Sequence, residues 1–99
     1  MIDHGSDYDL IVIGGTAGGL STAISSIRSG LKKVRIVEPG TSVAFPELVP
    51  ENQVEVGYGE QLLGIDADGD VVIVETDQRI YRTRGCLVSR RHRDPNWTP

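Results

Sequence analysis

Residues 9–19 read DLIVIGGTAGG. Leu10, Ile11, Val12 and Ile13 are an unbroken apolar run rich in β-branched side chains, which predicts a strand buried on both faces, as in a parallel sheet. A glycine cluster follows at once. From Ala17 the apolar period changes: Leu20, Ala23, Ile24, Ile27 and Leu31 recur at spacings of three and four, the stripe of a helix packed on that sheet. Gly30 is placed to cap this helix, Arg28 to complement its carboxyl end, and Ser25 and Ser29 to face solvent.

Strand, glycine turn and helix in that order make an anion site. The first amides of a helix have no intrahelical partner and sit at the positive end of its dipole, so a pyrophosphate can rest on them where glycine lets the backbone come close. In the dinucleotide pattern GxGxxG the first glycine turns the chain, the second admits the pyrophosphate and the third lets helix and strand pack. Here the three places are Gly14, Thr16 and Gly19, so a side chain stands at the middle one. A second apolar strand, Val34 to Val37, ends in Glu38, 19 residues beyond Gly19. At that distance an acid accepts hydrogen bonds from the adenosine ribose.

Ninety-nine residues make one domain, too short for a cofactor domain plus a full catalytic partner. The hydrophobic fraction of 38% and charged fraction of 24% are ordinary for a folded domain. No apolar run is long enough to span a membrane, and the polar opening MIDHGSDYD is not a signal peptide, so the expectation is a cytoplasmic chain with no membrane partner. A net charge of −4 argues against a general nucleic-acid binder. The lone Cys86 forms no internal disulfide and no CxxC pair; in an apolar strand it reads as a small inert hydrophobe. Arginines crowd the end of the chain, either as a solvated edge and tail or as a patch for an anionic cofactor or acidic partner.

The stretch 39–52 holds three prolines, Pro39, Pro46 and Pro50, and reads as a loop with at most a single turn. Val54 to Tyr58 is a short third strand parallel to the first two. Leu62 to Asp66, Val71 to Glu75 and Arg79 to Thr83 form an antiparallel meander, with Asp68 and Gly69 as the hairpin signal. Cys86 to Ser89 is a last strand returning to the parallel sheet. Trp97 either folds back or belongs to an interface. His4 and His92 are lone and carry no ligand role, and DADGD lacks the spacing of a calcium loop, so no metal site is expected. The fold class is α/β: a Rossmann-like parallel sheet with one main helix and a small antiparallel β-meander, residues 1–99 being one dinucleotide-binding domain, whole or partial.

With these elements placed, Tyr8 to Arg90 resembles the N-terminal FAD-binding half-domain of the pyridine nucleotide-disulfide oxidoreductase family. VIGGTAGGLSTA is similar to the subset with coenzyme A-disulfide reductases and NADH oxidases, and GDVVIVETDQRIYRTRGCLVS to the meander and closing strand of thioredoxin reductase-like members. The resemblance implies that Gly14, Gly15, Thr16, Ala17 and Gly19 face the FAD pyrophosphate, that Glu38 faces the adenosine ribose, and that the amides near Tyr58 to Glu60 lie by the adenine. It implies hydride acceptance from a nicotinamide, an FAD-dependent NAD(P)H oxidoreductase, with no activity in the isolated 99-residue chain. Three departures accompany it. The redox thiol of the single-cysteine subset falls on Leu48; the closing strand ends in Ser89, Arg90 and Arg91 in place of small residues and a glycine; and the nicotinamide domain is missing. Two alternatives therefore stand beside FAD binding: NAD(P) in the same turn, or a cofactor-free Rossmann module serving interaction or regulation. The partner is accordingly a dinucleotide, a protein, or a missing C-terminal domain.

Overall fold

The computed structural model of the protein describes residues 7–89; the expectations placed on His4, Arg90, Arg91, His92 and Trp97 lie outside them. The elements run β1 (Leu10–Ile13), α1 (Ala17–Arg28), β2 (Val34–Glu38), a single 3-10 turn (Pro46–Leu48), β3 (Val54–Tyr58), β4 (Leu62–Asp68), β5 (Val71–Thr76), β6 (Ile80–Thr83) and β7 (Cys86–Val88). Four strands form a parallel sheet in the order β3-β2-β1-β7, and β4-β5-β6 form the antiparallel meander.

Successive side chains of a strand point to opposite faces, and this alternation explains the apolar run of β1. Val12 faces α1, joining Val34, Ile36, Val54, Leu20 and Ala23 in one buried cluster. Ile11 and Ile13 face the meander and join Val37, Val74, Tyr8 and Tyr81 in the other. A strand covered on both sides has no position to spare for a polar residue.

The helix ends earlier than its apolar period. Gly30 takes a left-handed φ of +109°, its amide donates to Ile27 O, and the Leu31 amide donates to Ser26 O. This is the paired C-terminal cap that a glycine one residue past the cap residue Ser29 makes possible. It turns Leu31 out of the helical stripe and leaves it exposed, where the period had placed it on the buried face. Asp9 then fixes the way into β2, its Oδ2 accepting from the Lys32 and Lys33 amides at 2.9 and 3.1 Å. Ser25 and Ser29 are exposed as expected.

In the meander, Asp68 pairs with Val71, so the turn is Gly69–Asp70, one residue later than the Asp68–Gly69 signal. Gly69, with φ +65°, supplies the left-handed residue. A register shift between Leu62 and Gly64 bulges β4 at Leu63.

The register of the parallel sheet positions the site. Ile13 pairs with Val37 on one side and Val88 on the other. Gly14, Glu38 and Ser89, the next residues on three adjacent strands, therefore emerge at one end. The chain leaves β1 for β2 on one side and returns as β7 on the other, which makes this end a topological switch point, where ligands of open α/β sheets bind.

Candidate functional site

Gly14 opens the turn with φ +105°, and its amide donates to Val37 O at 2.8 Å. At Gly15 a Cβ would lie 2.5 Å from Val43 Cγ1. The loop after β2 packs this closely on the turn, and the Ala44 amide donates to Gly15 O at 2.7 Å. At Gly19 a Cβ would meet Gly14 O at 2.3 Å, so helix and turn approach closer than any side chain allows.

Thr16 is the residue the glycine pattern misjudges. Its φ of −72° suits any residue, and its Oγ1 accepts from the Gly19 amide at 3.1 Å, capping α1. The same oxygen lies 2.7 Å from Ser89 Oγ, which ties the turn to the end of β7. The side chain at the middle position thus satisfies one bare amide of the helix. Ala17 and Gly18, the first two helical residues, keep amides without an intrahelical acceptor, as every helix start does.

Glu38 stands across the turn. Its Oε1 accepts from the Gly15 amide at 2.7 Å and its Oε2 from the Gly40 amide at 2.6 Å. Each carboxylate oxygen has two acceptor sites, so the clasp leaves capacity for ligand hydroxyls.

Gly14, Gly15, Thr16 and Glu38 line a single cavity of about 560 Å³. Ser42 and Val43 from the loop after β2, Gln61 and Leu62 at the entry to β4, and Ser89 also line it. Ala17 and Gly19 are not in the lining: Ala17 is exposed at the first helical position and Gly19 is buried beneath the turn. The Gly59 and Glu60 amides are spent on Gly40 O and Glu38 O, at 3.0 and 3.3 Å, so the wall beyond Glu38 is made by the next two residues, Gln61 and Leu62. The sequence carried no signal for Ser42, Gln61 or Leu62, which reach the cleft only through the loop and the bulged entry to the meander.

No protein-family model matches the chain and no curated protein matches it in sequence. Solved structures do match. Thioredoxin reductase of T. acidophilum superposes with a TM-score of 0.74 at 17% identity, covering 93% of this chain and 38% of that one. Thioredoxin reductase of Lactococcus lactis gives 0.70 at 21% identity, covering 91% and 38%. A pyridine nucleotide-disulfide family oxidoreductase from Enterococcus faecalis gives 0.71 at 15% identity, covering 82% and 22%. The fold is that of the pyridine nucleotide-disulfide oxidoreductases. This chain spans 38% of the length of either thioredoxin reductase and 22% of the third protein.

Leu48, where the sequence register set the redox thiol of the single-cysteine subset, is an exposed residue of the 3-10 turn that does not line the cavity. Cys86 sits half-buried in β7, where burial pushes its thiol up and so away from the reactive thiolate. Among the described residues no three His, Cys, Asp or Glu side chains are grouped to hold a metal ion, and no helix is long and apolar enough to cross a membrane.

Proposed function

We propose that the cleft binds the adenosine diphosphate portion of a dinucleotide, FAD, and that these residues form the FAD-binding half-domain of a flavoprotein oxidoreductase. One observation carries this reading: the opening of α1 and the Glu38 carboxylate stand on the rim of one cavity at the switch point of the sheet. Its volume lies within the range of small-ligand sites, about 300–1,000 Å³.

In this reading the pyrophosphate rests against the Gly14–Thr16 turn that lines the cleft, at the opening of α1, and the free acceptor sites of Glu38 take the ribose hydroxyls. Bound FAD would supply hydride acceptance from a nicotinamide; the described residues bind and orient it. Cofactor, oxidoreductase activity and cytoplasmic location all belong to this proposal.

A second reading has one observation in its favour. Both Glu38 oxygens already hold main-chain amides and Thr16 already caps Gly19, so these groups have partners without a ligand, which suits a cofactor-free interaction module. Titration of the purified protein with FAD, ADP and NAD, followed by calorimetry and by flavin absorption, separates the two. FAD and ADP binding competitively, with Glu38→Ala weakening both roughly tenfold through the lost hydrogen bonds to a charged acceptor, supports the first. A protein that ignores all three ligands takes the second reading.

A further inference from the structure

Glu60 is a carboxylate at 2% exposure that the cleft does not use directly. Its Oε2 accepts from Tyr81 Oη at 2.5 Å and from Thr76 Oγ1 at 2.7 Å, and its Oε1 pairs with Arg35 Nη2 at 3.3 Å. The donors come from β6, β5 and β2, so the side chain joins the meander to the parallel sheet. Room for the pair is made by Gly57, where a Cβ would lie 2.3 Å from Arg35 Nη2 and 2.4 Å from Glu60 Oε1.

A buried ion pair is a poor device for stability alone, since well-packed apolar groups do as well without the desolvation cost. What it provides is direction. Three donors at fixed angles hold one carboxylate, and hence one point of the backbone, in one place. That point lies between the two walls of the cleft. The Glu60 amide donates to Glu38 O and the preceding Gly59 amide to Gly40 O, which sets the strand end that carries the clasp. The two residues that follow, Gln61 and Leu62, are the opposite wall.

We propose that Glu60 is a positioning residue for the dinucleotide cleft, fixing the spacing between Glu38 and the Gln61–Leu62 wall through its contacts with Arg35, Thr76 and Tyr81. The inference rests on the proposed function for its ligand but not for its geometry. The test compares wild type, Glu60→Gln and Ile36→Val by ADP titration and by the amide resonances of Gly15, Gly40 and Gln61. Ile36→Val is the control for lost stability, since Ile36 packs on the α1 face away from this segment.

Glu60→Gln is expected to weaken ADP binding roughly tenfold, the equivalent of one misplaced hydrogen bond, and to shift the three resonances; Ile36→Val leaves both unchanged. Unchanged affinity and unchanged resonances in Glu60→Gln, whatever happens to its melting temperature, overturn the proposal. If wild type does not bind ADP, the functional reading fails and the resonances alone decide: displacement at Gly15, Gly40 and Gln61 supports the positioning role, and displacement confined to Thr76, Tyr81 and Arg35 overturns it. If Glu60→Gln does not fold, Tyr81→Phe, which removes the hydroxyl that donates to Glu60 and keeps the ring, is judged on the same readouts.

Discussion

Where α1 crosses the parallel sheet, Val12, Val34, Ile36 and Val54 meet Leu20, Ala23 and Val43 in purely aliphatic contact. Where the meander crosses the other face, the aliphatic contacts of Ile11, Ile13 and Val37 are joined by two tyrosines and a charged network. Tyr8 Oη donates to Glu55 at 2.7 Å, Arg35 bridges Glu55 and Glu60 at 2.9 and 3.3 Å, and Arg79 stacks 4.8 Å from the centre of the Tyr81 ring. Aliphatic packing is strong but non-directional, and it holds a helix without fixing the angle of any one polar group. A hydrogen-bonded charge network costs desolvation and returns orientation. The cleft draws its turn from the first face and its far wall from the second.

The comparison is broken most forcefully on the α1 face. Ile36 is fully buried, and Ile36→Ala is expected to lose about 2–5 kcal/mol in urea unfolding, from lost burial and the cavity left behind. On the other face Gly57→Ala drives a methyl group into the Arg35–Glu60 pair, with an expected loss of about 1–3 kcal/mol. Its cost in a Glu60→Gln background should be less than additive, because both changes strike the same contact.

Acid sharpens the contrast. Burial raises the Glu60 carboxyl, but hydrogen bonds from Tyr81, Thr76 and Arg35 outweigh it and hold it below its ordinary value. Glu55 is likewise held low against its burial by Tyr8 and Arg35, and Asp9 is held low by the Lys32 and Lys33 amides. Carboxylates lowered on folding add stability that is full above the ordinary carboxylate range, near pH 4–4.5, and lost as pH falls through their lower folded values. Unfolding scans from neutral pH downward should therefore show the deficit of Gly57→Ala shrinking while that of Ile36→Ala stays constant. A constant Gly57→Ala deficit would mean that the network contributes nothing specific to the meander face.

Smaller effects belong to the turn and the surface. Thr16→Ala is expected to cost about 1 kcal/mol through the lost helix cap, with Thr16→Ser restoring most of it. Arg84→Ala removes only a 3.9 Å contact to Asp9 from a largely exposed side chain and should change stability by less than about 0.5 kcal/mol in the same assay.

The α1 face was legible in the sequence because its signals are local. LIVI, the glycine turn, the helical period and Glu38 are each readable within a few residues, and β1, α1 and β2 stand where these placed them. The meander face was not. Tyr8 and Glu55, Arg35 and Glu60, or Thr16 and Ser89 meet across 47, 25 and 73 positions, and no periodicity links them. The same distinction divides the candidate site. Gly14, Gly15, Thr16 and Glu38 were found from spacing and the Ser89 strand end from the resemblance, whereas Ser42, Gln61 and Leu62 were brought in by tertiary packing. Thr16 looked like a lost glycine because spacing records identity and not φ; its cap and its contact with Ser89 needed coordinates.

Ser89 has a consequence for how the molecule comes into being. The cleft borrows its lining from Ile13 at one extreme and Ser89 at the other, with the central strand flanked by the first and last strands to follow it. A nascent chain emerging from a ribosome would present the turn and the helix early, yet hold no finished cleft until β7 had cleared the exit tunnel and zipped against β1.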